Sequence, residues 1–557
     1  MRLSVVLTVC GVLLVCFSLG ALWAGDAPLA GARALSFASP EGDTLAATYV
    51  PGTQPAGVLL LPGFAGNQAM MRPLAGEFAR RGLHIFTFDY SGHGLSDGAL
   101  RFDNARTDRI ARQALAAKEE FKRLSGLSDA QILVVGHSMG ARSALQAATM
   151  DTQAVAGLIL LGTQINLSTN TQAEFFTGTS DTDLAWVQNL GVGNPPVSIA
   201  LISGQWDDIL TPANAQQLFG RLLPAAAEMS TIPVLNTDIE FYGQNADYRA
   251  LMLPDALFHN YEIYAPSTVG SVMFFADLFL SRSFAASPEA AVPTAENRLV
   301  WWLVGVAGFF LALGGGTAYK RPMANSPNGQ VQIMVVSHFL WAKLLLWLAA
   351  LPLSVVLVGA LVFLPVPSPV FNLVYVGFIG AYGLLLWALY RFGKMPATRG
   401  RLRFGAGEKP GGIWLTIGLT AVMLAATGLY AATGWFNPIP TPTRLFWLAL
   451  FTPITALGFW IGAHEARMLA ALTRRAAPQW ALTLIGLFPF FLLALLFGVL
   501  GSLSGMIGAL QGLIVLALVV LFGRLLSHLQ QRAWLVALAQ SVLLYWLALP
   551  SSALFSG

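Results

Sequence analysis

The segment QILVVGHSMGARSALQAATM, residues 131–150, decides the fold. It opens with an unbroken apolar run, the pattern of a strand buried on both faces. It closes with a run of small residues that reads as a helix. Between the two stands Gly136-His137-Ser138-Met139-Gly140. A serine on a sharp strand-to-helix turn exposes its hydroxyl, and the glycines let the backbone pass close to neighbouring elements.

Outward from this point, strand-like and helix-like stretches alternate across 33–285. Further strand candidates are 56–64, 83–90, 156–163, 197–204 and 248–254, and 103–124 reads as a helix. Residues 34–50 read as an opening hairpin turning at Glu41-Gly42-Asp43. Alternating β and α predicts a mainly parallel sheet with helices on both faces.

At these residues the segment resembles the α/β-hydrolase superfamily, specifically its lipase- and esterase-like serine hydrolases. The resemblance implies an α/β-hydrolase fold with Ser138 as nucleophile. It also implies an oxyanion hole built from the backbone N–H groups of Phe64, in Leu61-Pro62-Gly63-Phe64-Ala65-Gly66-Asn67, and of Met139. Many relatives have His where this chain has Pro62, which removes only its own N–H. Asp89-Tyr90-Ser91-Gly92-His93-Gly94-Leu95-Ser96 looks like the family's D-x-R-G-H-G-x-S turn, with Ser91 in place of Arg. The resemblance gives it a structural role beside the site.

A serine hydroxyl needs a base, itself oriented by an acid, and this fold orders them Ser, Asp/Glu, His. Among the seven histidines only His259 lies between Ser138 and the later apolar runs. It is the expected base. The family's strand-G-x-x-D pattern assigns Asp207, in Gly204-Gln205-Trp206-Asp207, as the acid. Asp208 remains its competitor, read otherwise as a solvated neighbour or a helix cap. Phe175, Phe176, Trp186, Phe241 and Tyr242 are candidates for an acyl pocket, although aromatic residues more often simply pack. No metal or organic cofactor is implied.

The whole chain has 557 residues, 55% hydrophobic and only 11% charged. A soluble protein carries about 25% charge, so neither a wholly soluble nor a disordered chain fits. Cys10 and Cys16 are the only cysteines, which excludes a disulfide scaffold. Residues 3–24 form an apolar run behind Arg2, long enough for an anchor, with cleavage near Ala30-Gly31-Ala32 as the alternative. Residues 286–297 have linker composition. Eight apolar runs follow within 298–557, near 299–318, 336–364, 370–390, 412–434, 445–462, 480–501, 505–523 and 533–550. They predict an all-α polytopic transmembrane domain, with the bilayer as partner and no nucleic acid.

Charge sets the expected topology. Residues 26–297 hold 26 Asp/Glu against 15 Lys/Arg, whereas 298–557 hold 2 against 16. Alternate spanning puts 14 of those 16 basic residues in or beside the loops 319–335, 391–411, 463–479 and 524–532, leaving only Arg298 and Arg444 on the other side. The positive-inside rule makes those loops cytoplasmic. The 33–285 domain is then external or periplasmic, in a bacterial inner or plasma membrane, and Gly557 is external. Glu408 and Glu465 are expected in loops or at helix ends, Lys343 to snorkel, and Asn372, Gln511 and Gln540 to join helices.

The expected activity is cleavage of a lipid or other acyl ester. The alternatives are an acyltransferase using the same triad, or a transport or binding module with an accessory hydrolase domain.

Overall fold

The computed structural model describes residues 2–101, 106–167, 181–191, 193–224, 227–234, 237–244, 247–280, 298–317, 331–402, 412–434, 436–473, 477–529 and 532–556. The expected linker 286–297, Phe175 and Phe176 lie outside the described residues.

The α/β domain is built on one ten-stranded sheet. Its strands are β1 (Arg33–Ala38), β2 (Thr44–Val50), β3 (Gly57–Leu61), β4 (His84–Phe88), β6 (Ile132–His137), β7 (Gly157–Leu161), β8 (Ile199–Ile202), β9 (Ser230–Val234), β10 (Thr237–Gln244) and β11 (Asp247–Met252), and a short β5 (Leu100–Arg101) lies outside it. The order is β1-β2-β4-β3-β6-β7-β8-β11-β10-β9. From β4 to β11 the strands run parallel. The opening hairpin forms as expected, with Phe37 opposite Leu45.

Alternation along the central strands divides the core. Leu59 and Leu61 of β3 join Ile132 and Val134 of β6 under the helices Arg106–Ser125 and Met139–Met150. Val58 and Leu60 join Leu133 and Val135 under Arg72–Arg80 and Pro266–Leu280. A period of two sends successive side chains to opposite faces, so runs apolar at every position belong to doubly covered strands.

The acyl-pocket candidates Phe241 and Tyr242 lie in the stretch 224–247, an insertion between Leu222 and β11. This insertion supplies β9 and β10, which extend the sheet antiparallel. Phe241 packs on the same core as Val58 and Leu60 and against Tyr248, with ring centroids 5.5 Å apart, and Tyr242 is buried. Both rings belong to β10, next to the outermost strand.

Among the described residues, nine helices are long and apolar enough to cross a membrane. In chain order these spans are Leu3–Gly25, Arg298–Thr317, Val336–Val362, Val370–Arg391, Ile413–Ala431, Pro442–Leu472, Ala477–Val499, Leu503–Leu529 and Ala533–Ser551. The first two cross closely. A methyl group built at Gly11 would fall 2.3 Å from the Ala312 nitrogen, and one at Gly315 2.6 Å from the Thr8 nitrogen. Small residues at such a crossing let two backbones meet where lipid provides no hydrophobic drive.

Polar groups within the spans depart from expectation at three points. Lys343 does not snorkel; it is buried, and its Nζ lies 2.9 Å from Glu465 Oε2. Glu465 lies inside the sixth span, where its Oε1 accepts the Tyr390 hydroxyl at 2.9 Å. Gln511 is exposed. Gln540 and Asn372 do join helices, donating to the carbonyls of Val519 and Ala548.

The described parts of the basic and the uncharged loops have different neighbours. Strand β12 (Val331–Ile333) pairs with β13 (Thr398–Gly400), so two of the basic loops meet each other. The uncharged loops meet the α/β domain instead. Tyr264 donates to the Gly434 carbonyl at 3.2 Å, and Ser502 donates to Asp208 at 3.1 Å. The chain's end forms β14 (Phe555–Ser556), which pairs in parallel with β5 and exchanges backbone bonds with Ser368.

The two basic residues outside the charge pattern are both buried at this junction. Arg298 reaches Asp26 at 2.5 Å and the Thr433 carbonyl at 2.8 Å. Arg444 donates to the carbonyls of Gly94 at 2.8 Å, Gly92 at 3.1 Å, Ser552 at 2.9 Å and Leu549 at 3.2 Å. Neither arginine adds a free positive charge to that side.

Candidate active site

Strand β6 runs straight into the helix Met139–Met150, and Ser138 makes the turn between them with φ +53° and ψ −114°. Such a backbone is strained for a side chain larger than hydrogen and persists only where its surroundings over-determine it. Two glycines do so here. A methyl at Gly140 would lie 2.2 Å from the Leu61 oxygen, and one at Gly136 2.5 Å from Gly140.

The three residues expected to cooperate are brought together. His259 Nε2 lies 2.9 Å from Ser138 Oγ, and Nδ1 lies 2.8 Å from Asp207 Oδ2. All three are buried. With its proton on Nδ1 the ring donates to Asp207 and accepts from the serine hydroxyl. Asp207 is fixed in turn, its Oδ1 accepting the N–H groups of Ile209 at 2.9 Å and Leu210 at 2.7 Å.

The neighbouring carboxylate has a different task. Asp208 accepts from Ser504 Oγ at 2.5 Å, from the Ser504 N–H at 3.1 Å and from Ser502 Oγ. It caps the start of the eighth span. A cap was one of its expected roles, but the helix it caps lies almost 300 residues further along the chain.

The loop 62–66 lies against the serine. A methyl built at Gly63 would come within 3.2 Å of Ser138 Cβ. Among the described residues neither the Phe64 nor the Met139 N–H is engaged in a hydrogen bond, as an oxyanion hole requires. The turn 89–98 supports that loop. His93 Nε2 accepts the Ala65 N–H at 3.1 Å, and Nδ1 faces the Ser91 carbonyl at 3.1 Å. Burial, aided by the nearby Arg444 charge, pushes the His93 ring down to about 4. It therefore stays neutral and able to accept.

Burial alone would lower the His259 ring as well. The Asp207 charge and hydrogen bond, with smaller contributions from Glu262 and Asp208, outweigh it and push the ring up to about 9.

Glu262 and His137 were not singled out from sequence. Glu262 is fully buried; its Oε1 accepts the Gly204 N–H at 2.8 Å, and its Oε2 lies 3.5 Å from His137 Nε2. His137 in turn bonds the His259 carbonyl at 3.1 Å. His259 opens the 3-10 helix His259–Tyr264, in which residues three apart eclipse. The spacing His259-x-x-Glu262 was the available signal. Trp186 lies under the Arg142 guanidinium, 5.6 Å from its ring centroid.

Residues 53–193, from before β3 to beyond β7 and including the Ser138 turn, match the family described as Serine aminopeptidase, S33. With its mainly parallel sheet, this part of the chain has an α/β-hydrolase fold. Among solved structures, the chain is similar to an alpha/beta hydrolase from Penicillium sp. sh18, with 17% identity over 46% of this chain and 99% of that one and a TM-score of 0.33. It is similar to an esterase of Pyrococcus furiosus, with 16% identity over 45% and 92% and a TM-score of 0.32. A bacterial membrane phospholipase A shows 15% identity over 48% and 92%, with a TM-score of 0.32. No curated protein matches the chain. Asp207 and His259 of the hydrolase domain lie beyond the family match, so their grouping with Ser138 rests on the distances above.

Proposed function

We propose that the chain is a membrane-bound serine hydrolase that cleaves carboxylic esters through an acyl-enzyme. The continuous chain Asp207–His259–Ser138, at 2.8 and 2.9 Å, carries this reading. Ser138 Oγ attacks the ester carbonyl while His259 Nε2 takes its proton. Asp207 holds the ring in the required tautomer and stabilises the imidazolium. The Phe64 and Met139 N–H groups receive the oxyanion, a contribution of about 3–4 kcal/mol per donor in a well-studied case. His259 then returns the proton to the leaving alkoxide, and water, activated by the same ring, releases the acid.

The first helix acts as a retained anchor in this reading, supported by its close crossing with the second span. An external or periplasmic hydrolase domain is part of this reading, supported by the charge distribution. The test is fluorophosphonate labelling of the full chain in detergent. Wild type labels, and Ser138→Ala loses labelling and at least about 10³-fold of its ester hydrolysis, because triad members act as a unit. Full labelling of that variant would move the nucleophile elsewhere. Transfer of the acyl group to an added alcohol in preference to water would convert the assignment to an acyltransferase.

A further inference from the structure

The four loops that build the site are also those that touch the membrane spans. The oxyanion loop meets them through Phe64, whose ring lies 5.8 Å from those of both Phe371 and Phe555. The acid loop meets them through Asp208 and Ser504, the base loop through Tyr264 and Trp302 at 5.0 Å, and the supporting turn through Arg444. Ser138 is only 7% exposed beneath this junction. The face through which a substrate must enter is therefore turned toward the ends of the spans, not toward open water.

Several exposed side chains near that rim are apolar, alongside the polar Gln205 and Asp255. Phe371, at the start of the fourth span, is 55% exposed, and Trp206, beside the aspartate pair, is 58% exposed. Val499 and Leu500, just before the Ser502–Ser504 contact, are also exposed. The two basic residues that the membrane half contributes on this side, Arg298 and Arg444, are buried in ion-pair and carbonyl contacts, so neither is free to hold a polyanion. Aromatic residues at span ends sit at headgroup depth. Apolar side chains at a rim where both arginines are engaged suit a long acyl chain entering from lipid.

Taking the serine-hydrolase reading as its basis, we propose that the substrate is a long-chain acyl ester of the adjoining leaflet, reaching Ser138 laterally past Phe371 between the near ends of the fourth and eighth spans. Those spans adjoin further in, about one turn along the fourth and more than two along the eighth, where a methyl at Gly512 would lie 3.1 Å from the Tyr375 hydroxyl. The ester group rises to the serine while the tail remains among apolar side chains. No step beyond the hydrolysis already described is required.

The experiment reconstitutes the full chain in nanodiscs. A fluorogenic long-chain diacylglycerol ester is supplied either in the same disc or in separate protein-free vesicles, and a short soluble ester, p-nitrophenyl acetate, is measured in parallel. Turnover in the same disc should exceed turnover from separate vesicles by about tenfold or more, and Phe371→Asp should lower the ratio of embedded-ester to soluble-ester turnover by about tenfold. The placement comparison needs no variant, so it stands even if Phe371→Asp fails to fold. Equal turnover from both placements, or an unchanged ratio in a variant that labels with fluorophosphonate, overturns lateral entry and leaves the hydrolase reading intact. Loss of wild-type labelling at Ser138 overturns the hydrolase reading itself.

Discussion

Adjacent aspartates with different partners should fail in different ways when each loses its charge. In Asp207→Asn the amide keeps the shape but replaces one acceptor with an NH2 donor. Oδ1 faces two N–H groups, at 2.9 and 2.7 Å, so the amide oxygen is held there. The NH2 then faces His259 Nδ1, which must accept, and the ring's proton moves to Nε2. That tautomer cannot take the Ser138 proton. A wrong-tautomer substitution of this kind costs about 10⁴ in kcat in a protease triad, equivalent to about 5 kcal/mol. In Asp208→Asn an acceptor for Ser504 survives and the loss is the charge at a helix start, worth about 0.3–1 kcal/mol at an exposed site and up to about 2 when partly buried. Its kcat should change less than about tenfold, while the thermal unfolding temperature of the full chain falls. The assay is burst and steady-state hydrolysis of a short soluble ester in detergent, with near-ultraviolet circular dichroism for unfolding. If Asp208→Asn proved the more damaging to kcat, the acid would be misassigned.

The His259 ring must be neutral to act, so kcat/KM should fall as pH drops below its raised value of about 9. The limb should lie well above the ordinary histidine range, and Glu262→Gln, which removes one of the raising charges, should move it to lower pH; a limb near 6 in both proteins would contradict this. Gly162→Ala, at φ +47°, puts a methyl 2.3 Å from Glu262 Oε2 and 2.8 Å from His259 Nδ1, and should abolish fluorophosphonate labelling. Glu465→Gln strands Lys343 in a buried site and should cost about 3–5 kcal/mol, read as loss of folded protein in size-exclusion chromatography; an unaffected yield would show the pair to be dispensable. Topology is checked in a Cys10→Ala, Cys16→Ala background. Gln153→Cys should react with an impermeant maleimide from outside and Lys394→Cys only after permeabilisation; the opposite result would invert the chain in the membrane.

Local features were legible where the cause is local. The run QILVVGH followed by small residues could only be a buried strand feeding a helix, and Ser138 stands between them. The order of Ser, Asp and His left a single histidine eligible, and the pattern after β8 favoured Asp207 over its neighbour. Apolar runs located the candidate spans to within a few residues, except that the sixth continues to Leu472 and the eighth to Leu529. In the sixth, Glu465 sits beside Lys343 and Tyr390, so a carboxylate that looked like a helix end is interior. A buried ion pair is invisible in one dimension because each half alone reads as a boundary residue, and only the pairing makes either position tolerable. The 224–247 strands were missed for a related reason. Thr237–Gln244 lies between β11 and β9, and Ser230–Val234, which contains Pro233, is the outer strand, so their strand character comes from pairing with β11 and with each other.

The same logic accounts for the two exceptions to the charge rule. That rule counts basic residues by side, and it assigned 14 of 16 to alternating loops. Arg298 and Arg444 break the pattern in sequence, and each is engaged by acceptors at the junction with the hydrolase fold. Arg444 holds the carbonyls of Gly92 and Gly94 in the turn whose His93 fixes the oxyanion loop, and it holds Ser552 beside the terminal strand that pairs with β5. One guanidinium therefore ties a candidate span, the stretch Leu549–Ser552 and the turn that supports the proposed oxyanion loop together. Leaving four carbonyls without their donor in a buried junction costs about 1–3 kcal/mol for each group that water cannot reach. The exceptions thus mark the seam between the two halves. A basic residue on the wrong side of a topology count, in a chain with an attached soluble domain, is a reason to look for that domain's docking site.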